Sequence, residues 1–442
     1  MNRMQRCISS ILLFAVLSLF PIIGKPSEEN TNRWTALLRE SGVKVGGWIN
    51  GGVTYNANNP PSGYNGPVTF ADRANEPQLN QFNIYLQRTV VTEGKAFDIG
   101  GRFDFMFGTD AIFTQAYGIP AFDVNTGQPL NRGNWDLNLC CKSTRTYGIA
   151  LPQVYLEAYV PVGNGLNIKA GHFYSPTGYE TVPAPDNFFY THAYSFNNGE
   201  PFTHVGIVGN YPASSNWSVM GGVTTGSATG GWDGTFDKQL GNWGGLGGLT
   251  WISDDRRTSA NITGTYGATS TRSSEPWGMY NIVLQHRATP KTHLVLHHVH
   301  GYAGGVLLNG RQKNAEWYGI NTHLYYDLLS DLTIGIRTEW FRDRDGFRVF
   351  SPSRVAAATD NTGFSFAGNF VPTSAPADYY GVTLGMNWKP SKRLRLDWKP
   401  MQKLNIRPNI RYDRVDGLQG TYKPFNNRTD QFLFSVDATI PF

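Results

Sequence analysis

Cysteine is scarce in this chain, with three among 442 residues. Cys7 sits in the first apolar stretch, and Cys140 and Cys141 are neighbours, so their Cα atoms lie closer than a relaxed disulfide prefers. Disulfides therefore cannot staple the fold, and Cys7 has no acyl-acceptor context that would mark a lipoprotein. Charge is also sparse, at 16% of residues, and the 38 Lys and Arg nearly balance the 33 Asp and Glu. That balance is too mild for a nucleic-acid binder. Long apolar runs are missing beyond residue 24, so no transmembrane helix is expected there. The one run that exists, Ile8 to Ile23, follows Arg3 and Arg6 and reads as a secretory signal peptide over residues 1–24. Cleavage near Gly24 removes those two arginines, so 38 basic residues fall to 36 against 33 acidic ones, a net charge of about +3.

What the chain has in quantity is aromatic residues, 14% (26 Phe, 22 Tyr, 12 Trp), and 50 glycines. This mixture favours strands and tight turns over helices. After a lead over residues 25–42, with a helical stretch at Trp34 to Glu40, the chain is a succession of segments of about ten residues that alternate with period two. In the last, QFLFSVDATIPF, residues Phe432, Phe434, Val436, Ala438, Ile440 and Phe442 share one face, and Gln431, Ser435, Asp437 and Thr439 the other. Val154, Leu156, Ala158 and Val160 likewise oppose Tyr155, Glu157 and Tyr159, and Phe103, Phe105 and Phe107 oppose Arg102 and Asp104. Leu332, Ile334, Ile336 and Trp340 oppose Arg337 and Glu339, and Val382, Leu384, Met386 and Trp388 oppose Thr383, Asn387 and Lys389. One face suits lipid and the other water.

About sixteen such segments run from Val43 to Phe442, an even number as single-chain bacterial barrels require. The predicted fold is all-β: a transmembrane antiparallel β-barrel over residues 43–442 with a water-filled lumen. Connectors supply an independent check, because short ones (Glu93 to Ala96, Val162 to Gly165, Tyr211 to Asn216, Asp254 to Arg257, Thr289 to Lys291, Leu328 to Ser330) interleave with long ones. The long ones are Ala57 to Leu79, Asp110 to Gly148, Ser175 to Asn198, Gly226 to Asn242 and Arg342 to Ala377. Short periplasmic turns and long outer loops are the barrel pattern. The long basic connector Pro390 to Gln402 falls on the short-turn side and breaks the rule. Pro408 demands a bulge or a weakly paired position. The longest loop, Asp110 to Gly148, is a candidate to fold inward and narrow the pore, a surface position being the alternative.

The residues also resemble a family, the bacterial outer-membrane β-barrel porins of the OmpL-like group. The likeness is carried by VKVGGWINGGVTYN, QLNQFNIYLQR, GGRFDFMFGTDAIFT, LPQVYLEAYVPVGNGLNIKAGHFYSPTGYE, NFFYTHAYSFNNGEPFTHVGIVGNY, IRPNIRYD and the terminal strand. It covers nearly the whole mature chain, and the chain departs from it between Trp388 and Ile406, which is expanded. The resemblance implies a Gram-negative outer-membrane barrel with a pore, and brings no catalytic residue or defined substrate. It also gives Phe442, a terminal aromatic on a terminal strand, the role of signal to the barrel assembly machinery.

Inward charges are the functional candidates, since side chains around a wide pore set its field. Alternation places Lys44, Arg102, Lys169, Arg337, Lys389, Arg407 and Arg411 inward, with Asp104, Glu157, Glu339 and Asp413 opposing them. Seven against four points to weak anion preference, unless opposite charges simply pair across the wall. Other constellations read as structure. Among His293, His297, His298 and His300, neighbours on a strand face oppositely, so no metal site is assigned and rim positions at the outer interface are expected. His172 and Ser175 are three apart on a strand and point apart, which does not suit nucleophilic catalysis. Asp343 and Asp345 in RDRDGFR faintly echo a calcium loop, but the arginines between them favour turn chemistry.

The expectation is a porin in the bacterial outer membrane that lets small hydrophilic solutes or ions diffuse passively, without cofactor or turnover. Expected partners are outer-membrane lipid and lipopolysaccharide, the barrel assembly machinery and the solutes, with homo-oligomerisation left open and no nucleic acid. The alternative is a barrel serving as adhesin or receptor through its long loops; a barrel hydrolase and a secreted soluble β protein are further rivals.

Overall fold

The computed structural model describes residues 40–61, 63–92, 96–114, 147–225, 243–270, 273–308, 311–349, 376–391, 399–419 and 423–442. The expected signal peptide, most of the lead, and Cys140 and Cys141 lie outside the described residues. No helix among the described residues is long and apolar enough to cross a membrane.

Seventeen strands form one sheet: β1 (Lys44–Asn56), β2 (Pro77–Arg88), β3 (Asp98–Gly108), β4 (Gly148–Ala150), β5 (Val154–Val160), β6 (Leu166–Tyr174), β7 (Thr203–Pro212), β8 (Trp217–Thr225), β9 (Trp243–Ile252), β10 (Thr258–Ser270), β11 (Ser273–Arg287), β12 (Thr292–Leu308), β13 (Arg311–Leu329), β14 (Leu332–Asp343), β15 (Ala377–Trp388), β16 (Asn405–Asp416) and β17 (Asp430–Pro441). β4 and β5 both pair with β3, through Met106 to Gly108 and Asp98 to Phe103 respectively. They are one stave interrupted at residues 151–153, so the barrel has sixteen. The break is bridged by Asp104 N donating to Gln153 O at 2.8 Å.

Each stave pairs antiparallel with its neighbours in sequence, and the sheet closes between first and last. The β1–β17 register runs from Trp48↔Pro441 to Asn56↔Leu433. Just below it Phe442 N donates to Gly47 O at 2.9 Å and Gly47 N to Phe442 O at 3.2 Å. Closure removes every edge, which is what a sheet in hydrocarbon needs.

The side chains sort as the alternation predicts. Phe432 and Phe434 are 46% and 47% exposed, while Gln431, Leu433, Ser435, Asp437 and Thr439 between them are buried. Leu156, Ile334, Val382 and Leu384 are likewise exposed, and Trp217, Trp243, Tyr266, Tyr380 and Tyr412 add aromatic side chains to the outward face, as barrel girdles do. Pro408 faces outward in β16. Pairing to β15 there skips from Gly385↔Asn409 to Trp388↔Ile406, so the missing N–H falls where no ladder bond is made.

The long connectors share one end of the barrel and the short turns the other, except that the β15–β16 connector, residues 389–404, is long and lies at the short-turn end, as its sequence indicates. On the long-loop end, β10–β11 and β12–β13 are joined through residues 271–272 and 309–310 alone, because these strands reach 13 to 19 residues. The core sits inside the barrel, where residues from the β1–β2 and β6–β7 connectors pack with inward-facing wall residues. One cluster joins Tyr194 to Trp277, Trp317, Phe341 and Tyr379, and another joins Phe70 to Met106, Phe113, Phe196 and Phe202.

A charge on the outer face should therefore cost more than one on the inner. Phe434→Lys is expected to lower the unfolding free energy by about 2–4 kcal/mol in lipid vesicles, read from urea titration by tryptophan fluorescence. Loss of under about 0.5 kcal/mol would place Phe434 away from lipid.

Candidate pore and its constriction loop

The β6–β7 connector, residues 175–202, folds into the barrel. Its sequence is too apolar for open water: Phe188, Phe189, Tyr190, Tyr194 and Phe196 occur within nine residues, and all but Phe188 are buried. Pro183 leads into a short 3-10 turn at Ala184–Asp186, and a π-type turn spans Ser195–Gly199. Gly178 adopts φ +82, and a Cβ there would fall 2.2 Å from Glu200 Oε2. Only glycine lets the two legs of the loop meet at that point.

Arginines of the wall hold the loop by its backbone. Arg407 Nη1 donates to Ala184 O at 2.8 Å and Asn187 O at 2.6 Å. Arg411 Nη1 donates to His192 O at 2.6 Å, and Arg337 Nη1 to Thr191 O at 2.7 Å. Arg348 Nε reaches Asn198 O at 2.7 Å, and Trp317 Nε1 reaches Gly199 O at 3.0 Å. Each guanidinium is also engaged by a carboxylate or an aromatic face: Arg407 by Asp437, Arg411 by Asp413 at 2.8 Å, Arg337, through the same Nη1, by Glu180 at 2.6 Å, and Arg348 by the Trp317 ring at 4.6 Å. The forked guanidinium suits this double task, since its donors point several ways from one plane. Buried carbonyls that water cannot reach are thereby satisfied with charge-assisted bonds.

Other loop groups complete the network. Tyr194 N donates to Glu339 Oε2 at 2.5 Å and its hydroxyl to Asp413 at 3.0 Å. Gln81 accepts from Ala184 N at 3.0 Å and donates to Val182 O at 2.8 Å. Glu180 receives Ala193 N at 2.8 Å and His192 Nδ1 at 3.1 Å besides Arg337. Burial alone would raise the Glu180 carboxyl, but Arg337, and then His192, hold it well below the usual carboxylate range. The β1–β2 connector reaches the same place. Phe70, at φ +67, packs against His192, Phe113, Phe196 and Phe202 with ring centroids 4.7 to 5.7 Å apart, and Thr69 donates to Asn197 Oδ1.

Of the residues expected to line the pore, Arg337, Glu339, Arg407, Arg411 and Asp413 are brought together, buried under this loop. Arg102 is forked onto Asp104 at 2.5 and 2.9 Å and lies over the Tyr85 ring at 4.2 Å. Glu157 and Lys169 stand opposite each other in register and half-buried. Lys44 is exposed at the start of β1. Lys389 is exposed just past β15 and lines, with Arg287, Lys291 and Lys403, a recess of about 850 Å³ at the short-turn end.

Pattern reading missed the loop acids Glu180, Asp186 and Glu200, the wall acid Asp437 as a charge partner, and Arg348. The aromatic density of residues 188–196 was the available signal. The loop expected to enter the lumen, 110–148, is described only at its start, where Asp110 accepts from Asn80 and Gln81 at 3.0 and 2.8 Å; residues 115–146 lie outside the described residues. The loop that enters is 175–202, which its length alone marks only as a long outer connector.

The histidine expectation also needs correction. His297 is not at a rim but buried inward, bonded to Asn281 Oδ1 at 2.6 Å, while His298 bonds Gly319 O and His300 bonds Glu316. Ser175 Oγ meets His204 Nε2 at 3.0 Å, whereas His172 is engaged with Leu151 O. No carboxylate among the described residues orients His204. Asp343 accepts the N–H groups of Phe347, Arg348 and Val349 at 2.8 to 2.9 Å, the turn chemistry expected of that segment.

A closed sixteen-stave barrel, apolar outside and polar inside, with one loop drawn into the lumen, defines the porin class of channel. The chain belongs to the family described as "Putative beta-barrel porin-2, OmpL-like", which matches residues 42–442. Among solved structures it is similar to Pseudomonas putida OprB (11% identity, TM-score 0.55, 93% of this chain and 97% of that one). It is similar also to the outer membrane channel DcaP of Acinetobacter baumannii (9%, 0.51, 90% and 97%) and to an anion-selective porin from Comamonas acidovorans (10%, 0.50, 90% and 98%). At such identities the likeness is one of fold. No curated protein matches the chain.

Removing one partner of a buried charge pair strands the other, at a cost of about 3–5 kcal/mol. Glu180→Gln is therefore expected to raise amide exchange across residues 180–200 while strand amides stay protected; unchanged exchange would show that Arg337 does not hold the loop. The same pair sets a pH response. A carboxyl held low in the folded state contributes above its unfolded pKa of about 4.3. Protection of the loop should persist as pH falls through that value and fade only below it.

Proposed function

We propose that the protein is a porin of the bacterial outer membrane through which small hydrophilic solutes diffuse passively. The observation that carries this is the one-sided seating of the loop. Its turns contact β12, β13 and β17, and its arginine anchors lie on β14 and β16 or just after β14. Across the lumen the inward face of β8 to β10 is less covered: Ser218, Met220, Thr250 and Asn261 are half-buried, while Thr224, Leu246, Thr263 and Thr265 on the same face are buried. Solutes pass along the side of the lumen opposite the loop's arginine anchors. Pore width and local field set which solutes pass.

The count of seven cations against four anions is set against the pairing of those cations. Arg102, Arg337, Arg407 and Arg411 are each engaged by a carboxylate, and the loop adds Glu180, Asp186 and Glu200 to the interior. On this reading the path carries little net sign, in place of a weak anion preference. Phe442 is read as the signal to the assembly machinery because it is the terminal aromatic of the closing strand, and the outer aromatic face suits lipid and lipopolysaccharide. No turnover is proposed, since the Ser175–His204 pair has no orienting third group among the described residues.

Planar-bilayer recording of the purified protein tests this. Open-channel conductance is expected, with a reversal potential near zero under a salt gradient, and Met220→Trp should reduce the conductance. A folded barrel that conducts nothing would overturn the porin reading and favour a receptor acting through its loops.

A further inference from the structure

Glu157 on β5 and Lys169 on β6 are directly opposed in an antiparallel pair, and both point inward and are half-buried. Side chains so placed normally close into an ion pair. Here they do not: among the described residues Lys169 makes no ion pair, and its Nζ lies over the Tyr155 ring at 4.4 Å, with Phe173 at 6.0 Å. Tyr155 is itself buried, two residues before Glu157 on the same face. The ring thus competes with the carboxylate for the ammonium and leaves both formal charges unneutralised on the wall of the lumen. The adjacent Arg102 and Asp104 neutralise each other by their forked contact, so this separated pair is the distinctive feature of that stretch of wall.

We infer that Glu157 and Lys169 form a recognition step for small zwitterionic solutes, of which α-amino acids are the chemical type. An α-carboxylate accepts from the Lys169 ammonium while the α-ammonium donates to Glu157, so one solute satisfies both groups with no net charge to desolvate. A lone anion or cation meets one attractive and one repulsive neighbour. An uncharged solute meets neither. The step rests on the reading of this lumen as a path for solutes, and it assigns that path a preferred class.

Glycine and glycolamide have nearly the same size and differ in being zwitterionic and neutral, which makes them a discriminating pair. Liposomes containing the full-length protein should swell about three- to tenfold faster in glycine than in glycolamide, the ratio that two partly exposed charge contacts supply. Lys169→Met and Glu157→Gln should each bring the ratio toward one while leaving glycolamide entry unchanged, which also shows that the barrel is folded and open. Tyr155→Leu should do the same with no change of charge, because Lys169 then closes onto Glu157. A wild-type ratio of one, or a ratio that survives Lys169→Met and Glu157→Gln, overturns the proposal and leaves the porin reading standing. Failure of both solutes to enter refutes the porin reading itself.

Discussion

Hydrocarbon offers the backbone no hydrogen-bonding partner, and the rest of this structure depends on that constraint. Every N–H and C=O that crosses the membrane has to be paired within the sheet, so the seam between β1 and β17 is as important as any interior contact. Its register runs unbroken from Trp48↔Pro441 to Asn56↔Leu433. Even the irregularities respect the constraint. Pro408 is placed where the ladder to β15 is already open, and the gap between β4 and β5 is closed by Gln153 O and Leu151 O finding partners on β3 and β6.

Once the wall is closed, the interior presents a second difficulty of the same kind. A loop drawn into the lumen takes its own peptide groups away from bulk water, and a loop as aromatic as residues 188–196 is driven to do so by the apolar area it buries. The wall answers with guanidinium groups aimed at loop carbonyls, each neutralised by a carboxylate or covered by a ring. The charges inside this barrel therefore have two roles that compete. Those on β14 and β16 are engaged in holding the loop, and those on β5 and β6 are the ones we propose meet passing solutes.

The similarity to other channels follows the same logic. At 9 to 11% identity to OprB and DcaP, little of the side-chain detail is shared, yet nearly the whole of each chain superposes. Alternation, an even number of staves and short turns at one end are enough to specify the architecture. Which solute passes is decided by a handful of inward positions that this architecture leaves unconstrained.

Alternation and connector length were therefore legible from the residues alone. Phe434 outward and Ser435 inward, the sixteen staves, and the end at which long connectors gather all follow from a period of two and a chain that has to return. The inward side of Arg102, Glu157, Lys169, Arg337, Glu339, Arg407, Arg411 and Asp413 was legible for the same reason. What pattern could not supply was how these groups meet across the lumen, because their partners lie up to hundreds of residues away: Arg407 finds Ala184, Arg337 finds Glu180, and Tyr194 finds Asp413. Periodicity reports which face of a strand a residue occupies and is silent on loops, which have no period. The polarity of the wall was thus determined by the sequence locally, whereas the choice of residues 175–202 to enter the lumen, and with it which charges anchor that loop, was decided only when the closed sheet brought distant side chains within reach of one another.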